Sequence, residues 1–110
     1  MPPPTLELMP GTVDVLVLRT LAWGPMHGYA ISQLVRNRSA GAIAIQSAAL
    51  YQALHRLERK KMVRGWWGVS DTNRRSKFYE LTATGRKHLR AQSTDLRAYV
   101  TALLAVLDAE

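Results

Sequence analysis

The chain has 110 residues, 47% of them apolar and 21% charged. This fits one folded domain large enough to bury its own core. Fifteen Lys and Arg against eight Asp and Glu leave a net charge of +7, and the chain has no cysteine. The charge favours an anionic partner; the missing cysteines exclude a disulfide scaffold, a thiol nucleophile and a thiolate zinc site.

Residues 1–10 carry four prolines and no Lys or Arg, so they do not read as a secretory signal and are expected to form an N-terminal arm. Gly11 precedes Thr12, an expected N-cap, with Asp14 in the first turn, where the helix dipole favours an acid. Val13, Leu16, Val17 and Leu21 then predict a buried helix over 13–23, ended by Trp23-Gly24-Pro25. A second helix begins near His27 or Gly28, carries Tyr29, Ile31, Leu34 and Val35, and ends with Arg36 and Arg38. Ile43 and Ile45 alternate with alanines and predict a very short strand. Ser47 is the expected N-cap of a third helix, 48–61, with Leu50, Leu54 and Leu57 on one stripe. The opposite face is centred on Ala48, Gln52, His55 and Arg59, flanked by Arg56 and Lys60. Met62–Val69 and Lys77–Thr82 read as strands around a polar turn that contains Arg74 and Arg75, a hairpin with a basic tip. Thr82 or Thr84 caps a long helix to about Leu107, in which Leu89, Leu96 and Leu103 recur every seven residues, joined by Tyr99, Val100, Val106 and Leu107. The longest stretch free of charge, Ser39–His55, is polar and short of the roughly 20 apolar residues a membrane span needs, so a cytoplasmic location is expected.

The order of elements is mainly α with a small β-hairpin. It predicts a winged helix-turn-helix over 11–82 and a C-terminal dimerisation helix over 83–110. The charge supports the same picture. Residues 55–90 hold eleven basic residues against three acidic ones, a net +8, and the remainder is slightly acidic. A helix with an apolar inner face and a polar outer one can enter the major groove of DNA. Gln52 has the chemistry to pair with adenine; His55, Arg56 and Arg59 can meet guanine or phosphate. Arg74, Arg75 and Lys77 would reach flanking phosphates or a minor groove, and Ser47 with the first N–H groups of its helix would hold a phosphate.

Three segments carry a family resemblance: GTVDVLVLRTLAWGPMHGYAISQLV (Gly11–Val35), LYQALHRLERKKMVRGWWG (Leu50–Gly68) and NRRSKFYELTATGRKHL (Asn73–Leu89). Together they resemble the PadR family of bacterial transcriptional regulators over about four-fifths of the chain. The resemblance implies a homodimeric winged-helix repressor, often responsive to a small molecule, with dimers formed through the C-terminal helix. It also places Tyr29 and Tyr51 near the DNA backbone, His55 and Arg56 on the recognition helix, and Arg74, Arg75 and Lys77 on the wing. The family often has Gly-Ser before Leu-Tyr and Pro after it, whereas this chain has Ala48, Ala49 and Gln52. Its operator therefore cannot be borrowed from relatives.

No enzyme motif is visible, and His27, His55 and His88 lack metal-ligand spacing, so neither a metal nor another cofactor is expected. A basic protein-interaction module with an acidic partner is the alternative reading, separable by the steep salt dependence of phosphate binding. Trp66, Trp67 and Tyr99 are candidates for a pocket for a small aromatic effector at a dimer interface, while Trp23 is assigned to the core.

Overall fold

The computed structural model describes residues 8–9 and 11–110, so most of the expected arm over 1–10 lies outside the described residues. Its elements are α1 (Thr12–Leu21), β1 (Met26–His27), α2 (Gly28–Arg38), α3 (Ser47–Arg59), β2 (Val63–Val69), β3 (Arg75–Leu81) and α4 (Ala83–Leu107). Four helices and a three-stranded antiparallel sheet in the order β1-β3-β2 form a winged helix with a C-terminal helical extension.

The core is assembled from every element that the apolar spacing marked. Val17, Leu18 and Leu21 of α1 meet Ile31 and Val35 of α2 and the stripe of α3, to which Ala53 is added. Val63, Tyr79 and Leu81 close it from the sheet, and Leu89 from α4. Each fully buried Leu, Ile or Val contributes about 1.5–3 kcal/mol of transfer free energy.

Several local expectations are corrected. Gly11, with φ +86°, is the N-cap of α1, and Thr12 is its first helical residue. That helix stops at Leu21, because the N–H groups of Trp23 and Gly24 turn back onto the carbonyls of Thr20 and Leu21. Trp23 is consequently half exposed rather than core. Ile43 and Ile45 form no strand. Ser39 Oγ instead accepts from the Ile43 N–H at 2.9 Å, and Ile45 is buried in the core. The third strand is β1, two residues long and paired Met26↔Tyr79 and His27↔Phe78. Two residues carry no periodicity, so the sequence offered no sign of it.

Ser47 is the first residue of α3 and makes no cap; Gln46 occupies the N-cap position, also without a side-chain bond. The other end of α3 is at Arg59, two residues short of the expected 61. There Lys61 sits at φ +60°, Met62 N–H reaches the Leu57 carbonyl at 2.9 Å and Lys61 N–H that of Glu58 at 3.0 Å. This paired closure ends a helix with a left-handed residue, more often glycine. The hairpin extends two residues further than its apolar residues suggested, since Val69 pairs with Arg75. Its turn is closed by Ser70 N–H to the Arg74 carbonyl at 2.8 Å.

Thr82 is the N-cap of α4: its Oγ1 accepts from Gly85 N–H at 3.0 Å and donates to the Lys61 carbonyl at 2.7 Å. One side chain thereby ties the end of the wing, the end of α3 and the start of α4 together. Gly85 lies so close beneath Met62 that a Cβ there would be 2.0 Å from the Met62 carbonyl oxygen. Beyond Leu96 the helix runs out of the body. Its 25 residues span about 37 Å. Among the described residues, no helix is long and apolar enough to cross a membrane.

Candidate nucleic-acid interface

The leucine stripe fixes the rotation of α3, so its polar face is turned outward by packing rather than by its own preferences. Ser47, Tyr51, Gln52, His55 and Arg59 are all exposed. Tyr51, Gln52, His55, Arg56 and Arg59 together line an open depression of about 440 Å³. Every member had been read from the sequence as facing DNA, and the helix brings the five together.

Arg56 differs from the others. It does not point freely outward: its Nη2 donates to Asp14 Oδ1 of α1 at 2.7 Å. That hydrogen bond holds the guanidinium proton more tightly than usual, against a smaller opposing effect of burial. Asp14 is therefore more than a dipole-matched acid, for it ties α1 to α3. A second brace runs from the wing. Lys77 Nζ donates to Glu58 Oε1 of α3 at 2.9 Å, which raises the lysine pKa. Gly65 makes room for it, since a Cβ there would stand 2.7 Å from Lys77 Cε and 2.9 Å from Glu58 Oε2. Below this pair lies Tyr79, 2% exposed, its phenol pKa raised by burial. Asp14, Glu58 and Gly65 were not singled out as site residues. The available signal was that Glu58 is one of only three acids in the basic segment 55–90.

Tyr51 reaches the start of α2. Its hydroxyl and ring carbons come within 3.2–3.4 Å of where a Cβ on Gly28 would stand, a close approach that the glycine eases. His27 caps the same helix, with Nδ1 accepting from Ala30 N–H at 3.2 Å. Exposed Tyr29 and Arg74 share a second depression, about 560 Å³, with His27, the acidic Asp71 and the hydroxyl residues Ser70, Thr72 and Ser76 of the wing. The start of α2 and the wing tip are thus neighbours across one groove.

Strand register sorts the rest of the wing. Val63, Gly65, Trp67 and Val69 oppose Leu81, Tyr79, Lys77 and Arg75, and so share one face. The inner end of that face is core, and its outer end exposes Trp67 with Arg75 over the indole at 4.8 Å. Trp66 lies on the other face, stacked on Phe78 at 6.1 Å between ring centroids. The two tryptophans therefore do not line one surface of this chain, and Tyr99 is on α4. Among the described residues, Arg59, Arg74 and Arg75 make no ion pair.

The residues expected to form a dimer seam also divide. Leu89 is buried in the chain's own core and is not available to a partner. Leu96 is partly exposed, and Tyr99, Val100, Leu103, Val106 and Leu107 are exposed, together with Leu104, which the heptad spacing omitted.

Comparison with known proteins gives a consistent result. The transcriptional regulator PadR-like family model matches residues 17–91. An uncharacterized protein X of Lysinibacillus sphaericus is 34% identical over 84 residues, 76% of each chain. An uncharacterized 37.1 kDa protein in a Streptomyces fradiae transposon is 38% identical over 80 residues, and there the match spans only 21% of the relative's length. A transcriptional regulator from Clostridium thermocellum superposes with a TM-score of 0.76 at 27% identity, covering 84% of this chain and 90% of that one. A PadR family transcription regulator from Clostridium difficile gives 0.73 at 25% identity, covering 88% and 98%.

Proposed function

The chain belongs to the PadR-like family of transcriptional regulators, and from that premise we propose that it is a homodimeric repressor that binds a pseudo-palindromic operator in the cytoplasm. Residues 11–82 form the DNA-binding part and 83–110 the dimerisation part. The observation that carries the reading is the outer face of α3, where Gln52, His55 and Arg59 are exposed beside Tyr51 while the opposite face is locked into the core.

In this reading α3 enters the major groove. Gln52 and Arg59 address base edges, and His55 and Tyr51 address base or backbone. Ser47 and the uncapped first N–H groups of α3 lie at a phosphate. Tyr29 and Arg74, sharing a groove, grip a neighbouring phosphate, and Arg75 reaches the flanking groove from the wing. Arg56 and Lys77 act mainly by holding α3 against α1 and the wing, because both cations already have carboxylate partners. Leu96, Tyr99, Val100, Leu103, Val106 and Leu107 form the dimer seam, supported by the row of exposed apolar side chains along the end of α4. A small aromatic effector remains part of the proposal. Trp66 or Trp67, on opposite sheet faces, would each need a second subunit to complete a pocket with Tyr99.

Selection of bound duplexes from a random library at about 150 mM salt tests this directly, because weak non-specific binding is suppressed there. The expected product is an inverted repeat with half-sites about 10 bp or a multiple apart. Recovery of no motif, with binding that disappears as salt rises, would replace this reading with that of a basic module for an acidic protein partner.

A further inference from the structure

Away from the outer face of α3, α1 and α2 enclose a cleft of about 210 Å³ that is almost wholly apolar. Leu16 and Thr20 of α1, Leu34 and Val35 of α2, and Ile43 of the following connection form its walls. Trp23 closes one side and is 48% exposed, an unusual amount for a large aromatic at a helix turn. Two guanidiniums lie over its ring, Arg19 at 4.6 Å and Arg38 at 5.0 Å from the centroid. Neither arginine has a carboxylate partner among the described residues. An apolar cleft thus has two unneutralised cations at its mouth, held over an indole that orients them.

We propose that this cleft binds an alkyl monocarboxylate. The aliphatic walls take the hydrocarbon chain, and the carboxylate meets the guanidinium forks, whose planar geometry suits it. The charge at the mouth excludes an alkylammonium of the same shape and favours the acid over the neutral alcohol. The site is independent of the DNA reading, and one of its walls leads to α3. Ile43 is held by Ser39, whose Oγ accepts its N–H at 2.9 Å, and the connection continues directly into α3. A ligand against Ile43 therefore touches the segment that leads into α3.

The test is titration of the full chain with octanoate, octanol and octylamine, following the indole N–H resonances. The Trp23 signal is assigned by its loss in Trp23→Phe. Octanoate should shift the Trp23 indole and the Ile43 amide together and saturably, leaving the Trp67 indole in place. Octanol should bind at least about tenfold more weakly, because charge-assisted hydrogen bonds contribute about 1.5–3 kcal/mol. Arg19→Gln combined with Arg38→Gln should reduce octanoate binding to the level of octanol. The proposal is overturned by any of three results: no saturable shift, equal binding of the three compounds, or a Trp23 signal that moves on protein dilution alone. The last would mean that a second copy covers the cleft.

Discussion

The two ends of α4 differ in composition and in surroundings: the start carries Arg86, Lys87 and Arg90, the end mostly apolar residues. At its start, Gly85 and Leu89 are buried, and Thr82 ties the helix to both α3 and the wing. From Arg97 onward every residue is exposed, including six large apolar ones. Gyration tells the same story: 15.2 Å, against about 13 Å for a compact chain of this length. Exposed apolar residues in such a row are uncommon on a monomer and mark a surface that a partner covers. The body of the chain buries its own apolar residues, whereas the end of α4 leaves them exposed, as the proposed dimer would require. The same contrast recurs among the charges, where Arg56 and Lys77 have carboxylate partners while Arg59, Arg74 and Arg75 have none among the described residues.

The most damaging single change should strike the body. Gly85→Ala would place a Cβ 2.0 Å from the Met62 carbonyl oxygen, and backbone there cannot move without disturbing the Thr82 bonds. A loss of about 3 kcal/mol or more is expected, measured by urea unfolding. An unchanged midpoint would show that the start of α4 is not rigidly seated. At the other end, Leu103→Glu with Leu107→Glu should leave the unfolding of the body within about 0.5 kcal/mol per change if the monomer is self-sufficient. The same variant should sediment as a monomer at micromolar concentration. If it remains dimeric, the seam lies elsewhere.

Much of this contrast was legible in the sequence, for reasons that also explain the failures. The leucine stripe of α3 and the alternation in the hairpin are long enough to reveal which face packs, so the outward placement of Gln52, His55 and Arg59 followed from geometry, while Tyr51 followed only from the family resemblance. Leu89, by contrast, continues the seven-residue spacing of Leu96 and Leu103, but spacing does not reveal where the body ends. Trp23 failed for a related reason: α1 turns off at Leu21, two residues before it, and its indole falls on the rim. Arg56 looked like its neighbours on α3 because its partner, Asp14, is 42 residues away.

The charged residues sharpen the comparison at a smaller scale. Arg59→Ala should weaken DNA binding by about 1–3 kcal/mol and lower the salt slope by about 0.9 if its contact is to phosphate. Gln52→Ala should instead change which sequences are preferred. Arg56→Ala should act first on stability, by about 0.5 kcal/mol, because it leaves the Asp14 carboxylate without its partner while solvent screens the 41% exposed arginine side chain. If Arg56→Ala and Arg59→Ala behave alike in both assays, the distinction between braced and free cations fails.

The smallest effect concerns pH. Lys77 holds its proton more tightly in the folded chain because it donates to Glu58, and burial raises the Tyr79 phenol beneath it. A pKa raised on folding contributes stability that is fully present below the unfolded value and lost as pH rises through the folded one. Unfolding midpoints should therefore be insensitive to these two groups from pH 7 to about 10 and fall above it. The ion pair is about one-third exposed, so solvent screening limits its share to about 0.5 kcal/mol. Glu58→Gln should lower stability by that amount near neutral pH and reduce the alkaline fall, leaving the part due to Tyr79. An equally steep fall in the variant would mean that Lys77 gains nothing from Glu58, and that the wing is held to α3 by packing alone.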